Sequence, residues 1–360
     1  MSASPHSQII EIDPLSDRRW DAFVKSHPSP KGHHLGGWAS ILRDCYGYKP
    51  KYIALEQGGD LAGVLPLVSS GRRLSGSRLS SLPTAKAAGP LASTHEDERR
   101  LLGAAVEITR RERLGAVFVR SEHPGLDHPA AGLAKTYQTQ VLALQPPEQL
   151  LEQYKRESHN LYRGIRKAQK AALVVRESAS DAELRDWYRI YLATMRKHHS
   201  LPRRLRQLRM SRSLLGPAWR LVTVSNDGRV IAGGVFHELG DTVELIYSAS
   251  DTSYLSLRPN HALYWQVIVE ATERGRTAFD FGTSGSDSLR SFKTQWGAVA
   301  RDVHLYCEQP TATSDTGASD ESPSVRGRAI SRAKALSDKL LAASPLLANR
   351  AIAAVVYRVA

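Results

Sequence analysis

The stretch FDFGTSGSDSLRSFKTQWG, residues 279–297, determines how the rest of this 360-residue sequence is interpreted. Apolar residues on both sides of Asp280 predict a short buried strand over 278–281, which runs into a loop rich in Gly, Ser and Asp. A short basic and aromatic element over 289–296 follows that loop. A carboxylate on a buried strand, free backbone N–H groups and a lysine among aromatic residues are typical of a functional site rather than of a core.

Asp280 has two interpretations. Side chains alternate along a strand, so Phe279 and Phe281 share one face and Asp280 points to the other. If that face lines a cleft, the carboxylate would orient an attacking amine or accept its proton. Alternatively, Asp280 is a structural group that accepts N–H bonds from the loop at 283–285.

Lys293 stands between Phe292 and Trp296, whose rings would exclude water and hold the lysine stem. As a cation, Lys293 would stabilise negative charge on a reacting carbonyl or on a leaving group. It would act as a base only if burial lowers its pKa. The alternative is a surface lysine beside core aromatic residues.

Length and composition indicate a globular protein of two domains, because 360 residues exceed one typical domain. The chain is 41% hydrophobic and 24% charged, and its longest apolar run is far shorter than the ~20 residues of a membrane helix. Cys45 and Cys307 have no metal-ligand spacing and predict free thiols. The N-terminal residues lack the pattern of a signal peptide, so we expect a cytoplasmic protein that binds no metal.

The positive charge is concentrated in one segment. The net charge is +13, and residues 155–220 hold 17 Lys and Arg against 5 Asp and Glu. Such a field suits a polyanionic partner, namely a nucleotide diphosphate, a tRNA or an anionic lipid surface. The alternative is a pair of helices with solvated arginine faces.

The two halves of the chain repeat one pattern of hairpin, helix and strand. Each hairpin has a glycine turn, and its second strand carries an Ala-Gly pair. The predicted hairpin strands are 51–56 with 61–68, and 220–225 with 229–238. The helix and strand that follow are 96–113 with 116–121, and 260–274 with 278–284. The sequence therefore predicts a duplicated α/β unit.

The second half is predicted to open with a helix over 148–172 and a second helix over 181–198. A meander of three strands follows, and the unit closes with a strand pair at 279–282 and 300–306. His198 and His199 lie at a helix end and lack a partner for acid–base work, and His33 and His34 are interpreted in the same way.

Composition also sets the domain limits. Two prolines near 144–148 block a helix, which predicts an N-terminal domain over 1–145 and a C-terminal domain over 146–308. A low-complexity linker over 309–327 is expected to be disordered. Apolar residues at helical spacing predict an amphipathic helical tail over 328–360, which docks either on a membrane surface or on the protein itself.

These features, in this order, resemble Fem-type proteins of the GNAT group of acyltransferases, which include peptidoglycan-bridge aminoacyltransferases. The first half carries HHLGGWASILRDCYGYKPKYIAL, GVLPL and SSLPTAKAAGP. The second carries NLYRGIRKAQKAAL, LIYSASDTSYLSLRPNHALYWQ and the signature at 279–297. The likeness spans about 30–307, and the sequence is similar to Fem-like acyltransferases that are often associated with exopolysaccharide synthesis.

The resemblance implies a fold class of α/β (α+β) type, with two tandem GNAT-like domains, each a mixed and mostly antiparallel sheet flanked by helices. It implies transfer of an acyl or aminoacyl group to an amine or hydroxyl of a sugar-linked cell-envelope or exopolysaccharide precursor, at the inner membrane face. Phe292 and Lys293 match the reaction centre of the family. Arg163 or Arg166 matches the arginine that contacts the acceptor diphosphate, and Tyr247 matches a polar residue that lines the cleft.

The chain departs from the family in ways that bear on its substrates. Leu42, followed by Arg43, stands where many relatives have a phosphate-binding lysine, which disfavours a nucleotide-peptide acceptor. The loop over 257–262 keeps Arg258 but lacks the glycines that cradle CoA pyrophosphate, although Asn260 at the helix start favours an anion. The donor is expected to be acyl-CoA or aminoacyl-tRNA. Because the helical hairpin of some relatives is missing, tRNA is less favoured.

Two other functions remain open from the sequence. The basic segment would suit a nucleic-acid-associated binding protein, although aromatic residues are not interleaved with its charges. A catalytically inactive scaffold, docked on a membrane through residues 328–360, is the other alternative.

Overall fold

The computed structural model describes residues 7–70, 77–126 and 128–308. The predicted linker and the predicted helical tail lie outside these residues. In the first half the elements are β1 (Ser7–Glu11), α1 (Arg18–Ser26), α2 (Gly37–Tyr46), β2 (Lys49–Pro50), β3 (Ile53–Gln57), β4 (Asp60–Leu65), β5 (Leu67–Ser70), β6 (Arg78–Ser81), β7 (Leu91–Ala92), α3 (His95–Arg111), β8 (Val117–Ser121) and β9 (Gly132–Ala143).

The second half contributes six strands and six helices to the described part of the chain. They are α4 (Pro147–Glu157), α5 (His159–Lys170), β10 (Val174–Glu177), α6 (Asp181–Lys197), α7 (Leu205–Leu215), β11 (Trp219–Asn226), β12 (Arg229–Leu239), β13 (Thr242–Ser250), α8 (Pro259–Glu273), β14 (Ala278–Thr283), α9 (Asp287–Gln295) and β15 (Val299–Glu308). No described helix is long and apolar enough to cross a membrane.

The strands form two sheets. The smaller one has the order β1-β3-β4-β7, and the larger one, of eleven strands, has the order β10-β11-β12-β13-β14-β9-β15-β8-β6-β5-β2. Most neighbours are antiparallel, and two pairs, β13 with β14 and β6 with β8, are parallel. The predicted meander is confirmed, since β11, β12 and β13 pair in sequence order.

The large sheet is continuous across both halves because one strand of each half pairs with strands of the other half. β9, from the first half, pairs with both β14 and β15, and β15 pairs in turn with β8. The expected strand pair at 279–282 and 300–306 is therefore wrong: β9 lies between the two strands. The mostly polar and exposed first part of β9 carries no alternating apolar pattern that would predict it.

Two other predicted elements are each divided in the structure. The helix expected over 148–172 is two helices, because Ser158 has φ −137° and ψ 59° and interrupts the helical backbone. The strand expected over 61–68 is β4 and β5, which belong to different sheets. Pro66 lies between them, and proline cannot donate to a strand ladder.

One hydrophobic core contains residues from both halves of the chain. One cluster of buried residues joins Trp20 and Trp38 of the first half to Trp187, Trp219 and Val235 of the second. Burial of side chains of this size dominates packing energy, so the two halves share a common core. The hairpin turn at Asp227 and Gly228 has positive φ at both residues, as predicted for a type I′ turn.

Candidate active site

Lys293 is a buried lysine that holds the end of β14. It lies in the last turn of α9, and its side chain is almost fully buried. Its ammonium donates to the carbonyl oxygens of Gly282 at 2.9 Å and Thr283 at 2.7 Å. Lys293 is therefore not the surface lysine of the alternative interpretation. Its ammonium faces inward and closes the loop between β14 and α9.

Burial changes the acidity of this ammonium. Loss of solvent, reinforced by the nearby charge of Lys86 and opposed by that of Asp280, lowers the pKa of Lys293 to about 8. A lysine with this pKa is mostly charged at pH 7 but exchanges its proton readily near pH 8. Perturbed groups of this kind cluster at functional sites.

Asp280 is buried on β14, and its Oδ1 accepts the backbone N–H of Gly282 at 2.6 Å. The rings of Phe279 and Phe281 meet on the opposite face with centroids 4.6 Å apart, as the alternation predicted. The expected N–H donors at 283–285 are wrong. Gly282 has φ +74°, a left-handed conformation that turns its own N–H toward the carboxylate.

A residue of the first half completes this site. The ammonium of Lys86 donates to the carbonyl oxygen of Leu245 at 2.9 Å and lies 3.8 Å from Asp280 Oδ2. Sequence reasoning missed Lys86. The signal available was a single charged residue among small ones in SSLPTAKAAGP.

Two further charged residues lie behind Asp280. Glu244 is buried on β13 opposite Asp280, and Lys31 forms an ion pair with Glu122 at 2.9 Å. Burial raises the pKa of Glu244, although the charges of Lys31 and Lys86 oppose this effect. Burial alone would lower the pKa of Lys31, but the charges of Glu244, Glu122 and Asp280 outweigh it and raise that pKa.

One group in the described part of the chain has the composition of a metal site. Ligand atoms of His33, His237 and Glu244 all lie within 4.8 Å of one another. His33 Nε2 and His237 Nδ1 are buried without a hydrogen-bond partner. The ammonium groups of Lys31 and Lys86 face the same glutamate, so a cation would be repelled there. We therefore describe the group as a buried polar cluster.

The two histidines of this cluster are neutral. Burial, reinforced by the charge of Lys86, lowers the pKa of His237 to about 3, and burial likewise lowers that of His33 far below its usual value. His33 stacks on Trp38 with ring centroids 4.6 Å apart. His33 and His34 were expected to lie at a helix end. They lie in a short buried turn between the halves, where His34 Nε2 contacts the carbonyl oxygen of Gly89.

Phe292 and Trp296 belong to one aromatic cluster, but they differ in exposure. Trp296 is fully buried, whereas Phe292 is half-buried at the edge. The ring of His261 on α8 meets both, at centroid distances of 5.7 Å to Phe292 and 6.1 Å to Trp296. His261 also packs against Gly164 on α5, where a Cβ would lie 2.4 Å from the imidazole. This close approach places α5 beside the Phe292 edge of the site.

Arg163 and Arg166 lie on the exposed face of α5. Arg163 donates to Asn160 within the helix, and Arg166 donates to Gln169. Both are local contacts between exposed side chains, so the two guanidinium groups remain accessible to an anion.

The other predicted binding residues lie on β13 and at the start of α8. Tyr247 packs against Tyr191 on α6, with centroids 5.7 Å apart, and its hydroxyl accepts from Gln207 at 3.5 Å. Asn260 was expected to cap α8 but does not, because the helix begins at Pro259 and Asn260 donates to Ser250 Oγ. Arg258 holds the capping position with φ +62°, a rare conformation for a non-glycine residue.

A polar cleft borders the site. Its volume is about 600 Å³, and its walls come from β9, β15 and the loop after β14. Thr283, whose carbonyl oxygen accepts from Lys293, lines it together with Ser284 and Arg290. The cleft is of the size that small-molecule sites usually have.

Part of the chain resembles known proteins in sequence. Residues 155–293 match the profile of the Acetyltransferase (GNAT) domain. The Lipid II:glycine glycyltransferase of two Staphylococcus epidermidis strains is 29% identical over 79 residues. That match covers 20% of this chain and 19% of the relative, so the likeness extends over about a fifth of the relative's length.

Solved structures show the same fold. The crystal structure of FemX has a TM-score of 0.68 and 17% identity, and the match covers 82% of this chain and 96% of that chain. The C-terminal domain (DUF2156) of a putative lysylphosphatidylglycerol synthetase from Agrobacterium fabrum has a TM-score of 0.55 and 12% identity, covering 89% of this chain and 96% of that one.

Residues 155–293 thus match a domain of the GNAT acetyltransferase type, and the described chain has the fold of FemX. The chain is similar to Fem proteins in two respects: in sequence, over 79 residues, to the glycyltransferase, and in fold to FemX. The predicted α/β fold class and the resemblance stated from the sequence are confirmed. The domain boundary at 145/146 stays a prediction. The large sheet extends across this boundary, because β9 of the first half lies between β14 and β15 of the second.

Proposed function

We propose that this protein transfers an acyl or aminoacyl group to an amine, or to a hydroxyl, of a sugar-linked cell-envelope precursor. The observation that carries the proposal is the buried Lys293 ammonium, with a pKa of about 8, beside the Asp280 carboxylate at the border of a polar cleft. Lys293 and Phe292 match the positions of the reaction centre in Fem-like proteins, and the matched GNAT domain ends at Lys293.

Acyl transfer needs a neutral amine, a hydrogen-bond donor for the developing oxyanion, and close contact between the substrates. An ammonium has three N–H donors, and Lys293 uses two for Gly282 and Thr283. The third would serve the carbonyl oxygen of the acyl donor. Because the ammonium is held by backbone carbonyls, it needs no reorganisation when charge develops.

Asp280 would orient the attacking nucleophile. Its Oδ1 is occupied by the N–H of Gly282, while Oδ2 faces Lys86 at 3.8 Å, beyond a direct hydrogen bond. A carboxylate oxygen has more than one acceptor site, so Oδ2 would accept a proton from the amine as the new bond forms and the donor's leaving group departs.

For the acceptor we propose a diphosphate-linked sugar. Arg163 and Arg166 offer two exposed guanidinium groups on the helix that packs beside Phe292, and guanidinium groups bind phosphate in a bidentate manner. The Staphylococcus epidermidis relative is named a lipid II:glycine glycyltransferase, which is consistent with such an acceptor. An exopolysaccharide precursor is the finer alternative within this class.

For the donor we propose acyl-CoA or aminoacyl-tRNA, and the loop before α8 does not decide between them. Arg258 supplies a positive charge at the helix start, where the macrodipole also favours an anion. The residues around it lack the glycines that would let a pyrophosphate approach the backbone closely.

The proposal is tested by offering the purified protein a matrix of donors and acceptors and detecting the product by mass spectrometry. The donors are acetyl-CoA, a long-chain acyl-CoA and glycyl-tRNA; the acceptors are lipid II, undecaprenyl-diphosphate sugars and UDP-sugars carrying a free amine. We expect a mass increase equal to the acyl group in one combination. Hydrolysis of the donors without any acylated acceptor would contradict the proposal.

A further inference from the structure

Lys86 enters the second half of the protein at the point where two strands separate. The parallel pairing of β13 and β14 extends over three residue pairs and ends at Glu244 opposite Asp280. Beyond that pair, the backbone groups of β13 no longer have a partner on β14. The Lys86 ammonium lies there and donates to the carbonyl oxygen of Leu245, the first residue past the last pair.

The surrounding chain is shaped to admit this side chain. Gly282 lies across the gap on β14, and a Cβ there would stand 2.5 Å from Lys86 Nζ. The backbone of Lys86 is held as well, since its carbonyl oxygen accepts the hydroxyl of Tyr137 on β9. Strands β13 and β14 of the second half therefore surround the ammonium group, and β9 of the first half holds the backbone that carries it.

Charged and titratable groups face Lys86 from every side. Asp280 on β14 and Glu244 on β13 are carboxylates, whereas His237 on β12 and His33 in the turn before α2 are neutral. Among the described lysines, Lys293 on α9 is the one whose pKa is lowered by the charge of Lys86. Removing Lys86 would leave Asp280 and Glu244 with less positive charge and would leave Leu245 without its donor.

We propose that Lys86 is a positioning residue of the transfer site, which holds the separated ends of β13 and β14 and sets the charge felt by Asp280 and Lys293. The site of the second half is then incomplete without the first half. This inference rests on the proposed function for its consequence in turnover, but its geometric and electrostatic content can be measured without any substrate.

The first readout is the pKa of Lys293, obtained by trace acetylation with acetic anhydride between pH 6.5 and 10.5 and quantified by mass spectrometry of the peptide that contains it. The variants are Lys86→Met, which removes the charge and the donor, and Lys86→Gln, which removes the charge but keeps a donor. In both, we expect the pKa of Lys293 to rise, because repulsion between the ammonium groups is removed. Lys25→Met, which changes an exposed lysine, is the matched control and leaves that pKa unchanged.

The second readout is turnover with the substrate pair found in the donor and acceptor screen. Lys86→Met should lower kcat about tenfold or more with a smaller change in KM, because a positioning residue acts on the transition state rather than on ground-state binding. Lys86→Arg should recover part of this loss, and the pH optimum of Lys86→Gln should move upward.

An unchanged Lys293 pKa in both neutral variants would overturn the proposal, as would Lys86→Met with wild-type kcat. Should Lys86→Met fail to fold, judged by far-ultraviolet circular dichroism, Lys86→Gln gives the same test. Absence of turnover in the wild-type protein would count against the proposed function, while the pKa measurement would still decide the role of Lys86.

Discussion

Lys293 donates a hydrogen bond to the carbonyl oxygen of Thr283 over 2.7 Å, and this contact fastens α9 to the end of β14. The loop between them also begins the polar cleft, because Thr283 and Ser284 line it. One side chain thus fixes the geometry of the loop and brings a positive charge to the place where substrate would bind. The structural and the chemical roles of Lys293 can be separated by a substitution that removes the charge but keeps the length of the side chain.

Lys293→Met is expected to reduce transfer at least a hundredfold, the usual loss when a preorganised donor to an oxyanion is removed. The fold should survive, because removing a buried charge offsets the loss of two hydrogen bonds to carbonyl groups. Product formation and thermal unfolding are measured in parallel. Lys155→Met, on the exposed face of α4, is the control and should keep wild-type activity. A Lys293→Met protein with more than a tenth of wild-type turnover would remove Lys293 from the mechanism.

The lowered pKa of Lys293 also predicts a change in stability with pH. The folded protein releases this proton near pH 8, whereas the unfolded chain keeps it to about 10.5. Between these values the unfolded state binds more protons, so this group makes the free energy of unfolding rise with pH, by at most about 1.4 kcal/mol per pH unit. Buried tyrosines lose their protons only at higher pH, so the effect of Lys293 on stability is measured between about pH 7.5 and 9.5.

The measurement is urea unfolding of the wild type and of Lys293→Met at pH 7.5, 8.5 and 9.5. The stability of the wild type relative to the variant should increase over this series. A difference that stays constant or decreases would show that the lysine is not desolvated in solution.

Much of the fold could be predicted because local signals agree with the final structure. The helix predicted over 181–198 is α6, which begins after Ser180, whose side chain accepts the N–H of Glu183 as an N-cap. The signature at 279–297 formed the expected strand and loop, and the short basic and aromatic element that follows them is the helix α9. Strand alternation correctly placed Asp280 on the face opposite Phe279.

The partners of that signature could not be predicted, because they depend on contacts between distant parts of the chain. β9 lies between β14 and β15 although its exposed first part has no strand pattern. Lys86 reaches Leu245 across 159 residues of sequence. A polar residue in a loop of small residues gives no sign of which strand it will meet, so the first half's share of the site was visible only in the structure.

Three buried histidines predict acid sensitivity. Burial lowers the pKa of His34 and of His237 to about 3, and lowers that of His33 well below 6.5. As the pH falls below 6.5, the unfolded chain takes up these protons and the folded protein does not. Each histidine therefore lowers the free energy of unfolding, by at most about 1.4 kcal/mol for each unit by which the pH falls.

This is tested by urea unfolding at pH 7, 6 and 5, above the usual range of carboxylates. The double variant His33→Phe/His237→Gln should lose less stability over the series than the wild type. His159→Gln, which changes an exposed histidine at the start of α5, should follow the wild type. Equal slopes in the wild type and the double variant would contradict the neutral state of this pair.

The exposed arginines of α5 make the last prediction, which concerns acceptor binding alone. Among the described residues, Arg163 and Arg166 have hydrogen-bond partners on their own helix alone, so Arg163→Gln/Arg166→Gln should leave the unfolding temperature within about 2 °C of the wild type. A hydrogen bond to a charged group contributes ~1.5–3 kcal/mol, and the KM for a diphosphate-linked acceptor should rise about tenfold or more for each guanidinium–phosphate interaction that is removed. The matched control is Arg99→Gln/Arg111→Gln on α3, which removes the same charge from an exposed helix of the first half. If both double variants raise KM equally, the effect is the net charge of the protein and α5 is not the acceptor site; a rise confined to the α5 variant, with kcat unchanged, assigns the binding of phosphate to this helix.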